Sequence, residues 1–173
     1  MMDEKMLIKK SKQGDKDSFG ELYMLYRDRL YRYAVFKLGE KSAPDVVSEC
    51  IVQAWSSIKS LRRENSFDAW IFRILHRCCS AQIKEDIKQR ESVSIDDAVI
   101  PYTENFKAVE LSEALSLLDE TDKDIVLLSA VSGFNSKETG RLLGLRPATV
   151  RSKLSRSLKK MRDFLEDTYE KRL

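Results

Sequence analysis

Apolar positions in this 173-residue chain recur in steps of three and four, the spacing of helices with one inward face. Phe19, Leu22, Tyr23, Tyr26, Leu30 and Tyr33 form the first stripe, and Gly39 stops it. Val47, Ile51, Ala54, Trp55 and Ile58 form the second. Ahead of it, Ser42 and Asp45 predict a capping box, with Pro44 in the first turn. Phe67, Trp70, Ile71, Ile74, Leu75 and Cys78 form the third stripe, which Ser66 can cap and which runs to about Arg90. Trp55 and Trp70 read as core side chains, a stacking platform being the other reading of Trp70.

The period fails over residues 91–107, where Ser92-Val-Ser-Ile-Asp-Asp97 and Ile100-Pro-Tyr-Thr103 predict a linker, free or packed as a short connector. Beyond it, Leu111, Ala114, Leu115 and Leu118 predict a short amphipathic helix. Thr121 with Asp124 predicts a second capping box, opening a helix through Ile125, Leu128 and Val131 that Gly133 closes. Ser136 is then expected to cap Lys137–Leu143, Gly144 to break the chain, and Pro147 to start a last helix. That helix carries Val150, Leu154, Leu158, Met161 and Leu165 on one stripe. Strand-like alternation and internal repeats are absent from the pattern. The expected architecture is all-α: two small helical domains, 1–90 and 108–173, joined by the linker 91–107, the second being a helix-turn-helix domain.

Composition changes this picture little. Hydrophobic residues make up 42% and charged residues 34%, enough apolar material for small cores, and only 6 Gly and 3 Pro favour helices over tight turns. No apolar run approaches the roughly 18 residues of a membrane span. The start, Met1-Met-Asp-Glu-Lys5, leads into mixed charge, not a signal segment, so a cytoplasmic protein is expected. Cys50, Cys78 and Cys79 lie on apolar helical stretches and read as reduced core thiols. Adjacent Cys78 and Cys79 would diverge by about 100° on a helix, and His76 is the single histidine, so no metal site is expected.

Charge distribution says more than the net +3. Residues 1–90 carry 18 Lys and Arg against 13 Asp and Glu, residues 91–135 carry 2 against 10, and residues 136–173 carry 11 against 5. Two basic blocks flank an acidic middle, as two nucleic-acid-contacting modules with a non-contacting connector would. Between 137 and 162 the one acid is Glu138, amid Lys137, Arg141, Arg146, Arg151, Lys153, Arg156, Lys159, Lys160 and Arg162. A helix pair, about Ser136–Met161, follows from the Gly144-Leu145-Arg146 turn, with small Gly140 allowing close approach. A helix fits the major groove, its first turns reaching base edges and its flanks meeting phosphates. On this basis Arg146, Ala148, Thr149 and Ser152 sit at the entering end, and Arg151, Arg156 and Lys159 are better placed for phosphates; Lys153 and Ser155 lie on the same outward, DNA-binding face. A helical bundle with a solvated basic face is the bland alternative.

Four segments resemble one family. Ala114-Leu-Ser-Leu-Leu-Asp-Glu-Thr-Asp-Lys-Asp-Ile-Val-Leu-Leu128 and Thr149-Val-Arg-Ser-Lys-Leu-Ser-Arg-Ser-Leu-Lys-Lys-Met161 resemble the fourth region of bacterial sigma factors of the extracytoplasmic-function group. Asp45-Val-Val-Ser-Glu-Cys-Ile-Val-Gln-Ala-Trp55 and Phe67-Asp-Ala-Trp-Ile-Phe-Arg-Ile-Leu75 resemble its second region. The resemblance implies a two-domain RNA polymerase subunit. Its second module would read the minus-thirty-five element and meet the polymerase flap. Asp45, Val46, Glu49 and Gln53 would meet the clamp. Arg62, Arg63 and Asn65 lie on the loop where the family captures a flipped minus-ten base, and Arg73, Arg77 and Lys84 could follow its backbone. Where the family often carries Asn and, three residues on, Asp, this chain has Arg77 and Ser80. Promoter DNA, core RNA polymerase and an anti-sigma factor that holds the protein inactive, often membrane-bound, are the implied partners.

No catalytic set, cofactor or small-molecule substrate is expected: there is no Gly-rich phosphate loop and no metal-binding carboxylate group. The alternatives are a helix-turn-helix regulator with a sensing N-terminal domain, or an enzyme acting on nucleic acid.

Overall fold

The computed structural model describes residues 3–92 and 106–170, and among these every regular element is helical. The chain divides into two compact units, Met1–Asp97 and Ala98–Leu173. The linker prediction falls mostly on 93–105, outside the described residues.

In the first unit, α1 (Glu4–Lys12), α2 (Lys16–Leu38), α3 (Ala43–Ser57) and α4 (Phe67–Ser92) surround one core. The helix α1 was not predicted. It buries Leu7 and Ile8, and the Ser11 hydroxyl donates to the Leu7 carbonyl at 2.7 Å. Asp15 caps α2, accepting from the Asp17 and Ser18 amides and the Ser18 hydroxyl; the Ser18 bonds hold its carboxyl below the usual carboxylate range. The α2 stripe buries Phe19, Leu22, Tyr26, Leu30 and Tyr33 as expected, while Tyr23 is half-exposed.

Polar bonds stitch these helices where the stripes meet. The Tyr26 hydroxyl donates to Glu4 at 2.7 Å. Burial, then Glu4 itself, pushes its titration upward. Arg29 pairs with Asp68 of α4 at 3.1 Å and lies over the Phe72 ring, 5.1 Å from its centroid. Cys50, Cys78 and Cys79 are buried, and none of them is in a disulfide.

Two side chains expected to cap helices do not do so. Ser42 has helical backbone angles and no side-chain cap bond, because a turn through Gly39 already leads into α3. Ser66 closes a short 3-10 turn, Glu64–Ser66, by donating its hydroxyl to the Arg63 carbonyl at 2.7 Å.

In the second unit, α5 (Phe106–Ser116), α6 (Glu120–Val126), a π-helical turn (Leu127–Val131), α7 (Ser136–Leu143) and α8 (Pro147–Glu170) bury Leu115, Leu118, Ile125, Leu127, Leu128, Phe134, Val150 and Met161. Asp119, not Thr121, caps α6, accepting from the Asp122 amide at 2.7 Å. Asn135, not Ser136, caps α7, and it forms a full capping box with Glu138. In each case the capping residue is the one with extended backbone angles. Along α8 the inward positions are Val150, Ser157 and Met161, and Leu158 stands 38% exposed on the flank. Among the described residues no helix is long and apolar enough to cross a membrane.

Candidate functional site

The second unit presents its basic face through a tight backbone turn. Gly144 ends α7 in the left-handed conformation, φ 70°, and the Leu145 amide donates to the Gly140 carbonyl at 2.8 Å. Gly140 is buried, and a Cβ there would stand 2.5 Å from the Leu145 carbonyl oxygen. Glycine at 140 therefore lets the turn fold back onto its own helix. Pro147 then starts α8, with Arg146 exposed just ahead of it.

Helical rotation of about 100° per residue sorts the α8 side chains. Ala148, Arg151, Ser152, Ser155 and Lys159 follow one exposed face, with Arg156 exposed beside it. Arg162, three residues beyond Lys159, continues that face, as the i+3 spacing in the sequence indicates. Arg151 also reaches back to the Ser136 hydroxyl at 3.3 Å, tying the two helices. Thr149 is half-buried. Lys153 turns away from the exposed face. It bonds to Asp122 and lies 3.9 Å from Asp119 at the start of α6, with its side chain 27% exposed. As placed, it braces α8 against α6 and does not join the free basic stripe. Lys160 likewise donates to the Leu117 carbonyl, just past the end of α5. Past Arg162 the helix changes sign, carrying Asp163, Glu166, Asp167 and Glu170.

In the first unit, a loop hangs between two 3-10 turns, Ile58–Ser60 and Glu64–Ser66. Leu61 is its buried anchor, 4% exposed, while Arg62, Arg63 and Asn65 are exposed. Along α4, Arg73, Arg77 and Lys84 are exposed at steps of four and seven, so they share one face. Trp70 lies three residues ahead on that face. It is half-buried, its ring centroid 5.6 Å from that of buried Phe67, so it meets both core and surface. Ser80 is occupied locally, donating to the His76 carbonyl at 2.9 Å.

On α3, Asp45 and Glu49 are exposed and Gln53 half-buried, four residues apart along one face, and Gln53 donates to Glu49 at 2.8 Å. Val46 does not belong with them. It is 4% exposed and faces the core with Val47, so it cannot meet a partner as a surface contact.

A family model described as Sigma-70 region 2 matches residues 22–86, and one described as Sigma-70, region 4 matches residues 108–161. The chain is 24% identical over 182 residues to the ECF RNA polymerase sigma factor SigW of Bacillus subtilis, covering 94% of this chain and 97% of that one. Two solved structures share the fold at 22% identity. One is CnrH in complex with the cytosolic domain of CnrY, at a TM-score of 0.76 over 95% of this chain and 97% of that chain. The other is the sigma factor RpoE in complex with the anti-sigma factor NepR from Bartonella quintana, at a TM-score of 0.74 over 88% and 98%.

Proposed function

This chain belongs to the extracytoplasmic-function group of the sigma-70 family, and we propose that it carries core RNA polymerase to promoters through one grip in each unit. The observation that supports this most directly is the exposed basic face of α8, starting at the Gly140–Leu145 turn, in a chain whose other unit carries a second basic loop and stripe. The protein performs no bond chemistry on this reading.

The upstream grip uses duplex DNA. Ala148, Ser152 and Ser155 are short side chains that let the helix sit close to base edges. Arg146, Arg151, Arg156 and Lys159 meet phosphates on either side, and Thr149 lines the groove wall. Lys153 contributes by holding α8 on α6. The downstream grip uses unpaired DNA. Arg62, Arg63 and Asn65 seat a flipped base, while Arg73, Arg77 and Lys84 follow the strand and Trp70 offers its exposed edge. Asp45, Glu49 and Gln53 meet the polymerase clamp, and the second unit meets the flap. Residues 1–90 and 108–173 thus act as separate modules on a connector at 91–107.

Two solved structures that share the fold are complexes, one of CnrH with the cytosolic domain of CnrY and one of RpoE with the anti-sigma factor NepR; by analogy, an anti-sigma partner is proposed to keep this chain inactive in the cytoplasm, or at the membrane if that partner is membrane-bound. A sensing N-terminal domain is set aside, since residues 22–86 match sigma-70 region 2. Transcription from a randomised promoter library with purified core enzyme tests the proposal: two enriched elements are expected, and failure to bind core would overturn it.

A further inference from the structure

We propose that Lys12, at the end of α1, is a positioning residue that presets the 61–66 loop for base capture; this rests on the reading of that loop given above. Its Nζ donates to the Leu61 carbonyl at 2.8 Å and lies 3.8 Å from a Glu64 carboxylate oxygen. Those two acceptors stand on either side of Arg62 and Arg63. The loop is closed at each end by its own backbone. The Leu61 amide donates to Ile58 at 3.1 Å, and the Ser66 amide donates to Arg63 at 3.1 Å. Neither bond joins the two ends. Lys12 does, and an ammonium with three donors suits two acceptors in different directions.

The brace comes from a firm support. Leu7 and Ile8 bury α1 against its neighbours, and the Asp15 amide donates to the Lys10 carbonyl at 3.1 Å, locking the turn after Lys12. Lys12 keeps its side chain 26% exposed and Glu64 31%, so the contact is shielded without being sealed. Glu64 is held ionised as well: its own backbone amide, then Lys12 and Lys9, keep its carboxyl below the usual range. A loop bearing three exposed polar side chains otherwise loses conformational freedom each time it binds; pre-setting it lowers that loss and sharpens discrimination between bases.

The test compares the full-length wild type with Lys12→Met, Lys12→Arg and Asn65→Ala in transcription with core enzyme, from promoters carrying each base at each minus-ten position. Lys12→Met should reduce base preference at the captured position by roughly three- to tenfold. Lys12→Arg should restore most of it, and minus-thirty-five preference and core affinity should not move. If Asn65→Ala flattens the preference and Lys12→Met does not, the positioning role is overturned and the loop reading stands. If neither changes it, both fall together. Should Lys12→Met fail to fold, hydrogen exchange at the Ser66 amide of Lys12→Gln decides: faster exchange supports the brace, and an unchanged rate overturns it.

Discussion

Gly140 and Leu145 meet backbone to backbone, the Leu145 amide on the Gly140 carbonyl at 2.8 Å, with no room for a Cβ before the Leu145 oxygen. Alanine at 140 would gain about 1 kcal/mol of helix propensity. It would also force a backbone oxygen to move, which costs about 1–3 kcal/mol in a packed site. Gly140→Ala should therefore lower the melting temperature of the second unit and weaken minus-thirty-five binding together. Calorimetry of the full chain checks it; a higher melting temperature would mean that the turn relaxes freely.

Arg151 and Lys153 are two residues apart and should behave differently. Arg151 is exposed, while Lys153 is held by Asp122 and Asp119. Arg151→Ala is expected to weaken duplex binding and lower the slope of log affinity against log salt by about 1. Lys153→Met should leave that slope unchanged and instead make α8 less stable on α6. Fluorescence titrations over a salt series separate the two, and equal slope losses would show that Lys153 contacts phosphate as well.

Asp45 stands exposed on α3, on the face shared with Glu49 and Gln53. Asp45→Ala should weaken binding to core polymerase and leave minus-thirty-five duplex binding by the same chain intact. Loss of both activities would indicate unfolding and remove the case for a clamp contact.

Burial pushes the Cys50 thiol up from its ordinary value of 9.0, with Cys78 and Cys79 adding to the effect. The folded chain thus holds this proton more tightly than the unfolded chain. Its contribution to stability is complete below about pH 9 and is lost as pH rises further. Denaturant midpoints should fall across the alkaline range for the wild type and fall less for Cys50→Ala. Identical alkaline slopes would assign the loss to other groups.

The amphipathic helices were legible because their stripes are long. Six positions from Phe19 to Tyr33 admit one period, and five of them are buried. By contrast α1 buries only Leu7, Ile8 and Ser11, too few for a period. Its signal lay in charge: Glu4 in the first turn, Lys9, Lys10 and Lys12 in the last, and Gly14 just beyond. Caps were misplaced by one or two residues where several side chains could serve, since backbone angles choose among them and those depend on the preceding loop. Val46 and Lys153 were misread for a related reason. Val46 neighbours Val47 on a helix buried over a wide arc, and the partners of Lys153 arrive from α6, which no local pattern encodes.

The change of sign along α8 has its own consequence. Its 24 residues make a rod about 36 Å long, basic up to Arg162 and acidic from Asp163 onward. Such a rod is an electric vector. A phosphate-lined duplex attracts one end and repels the other, so collisions begin with the helix already pointing the right way. On the proposed reading, this steering would make productive encounters more frequent before any base is read.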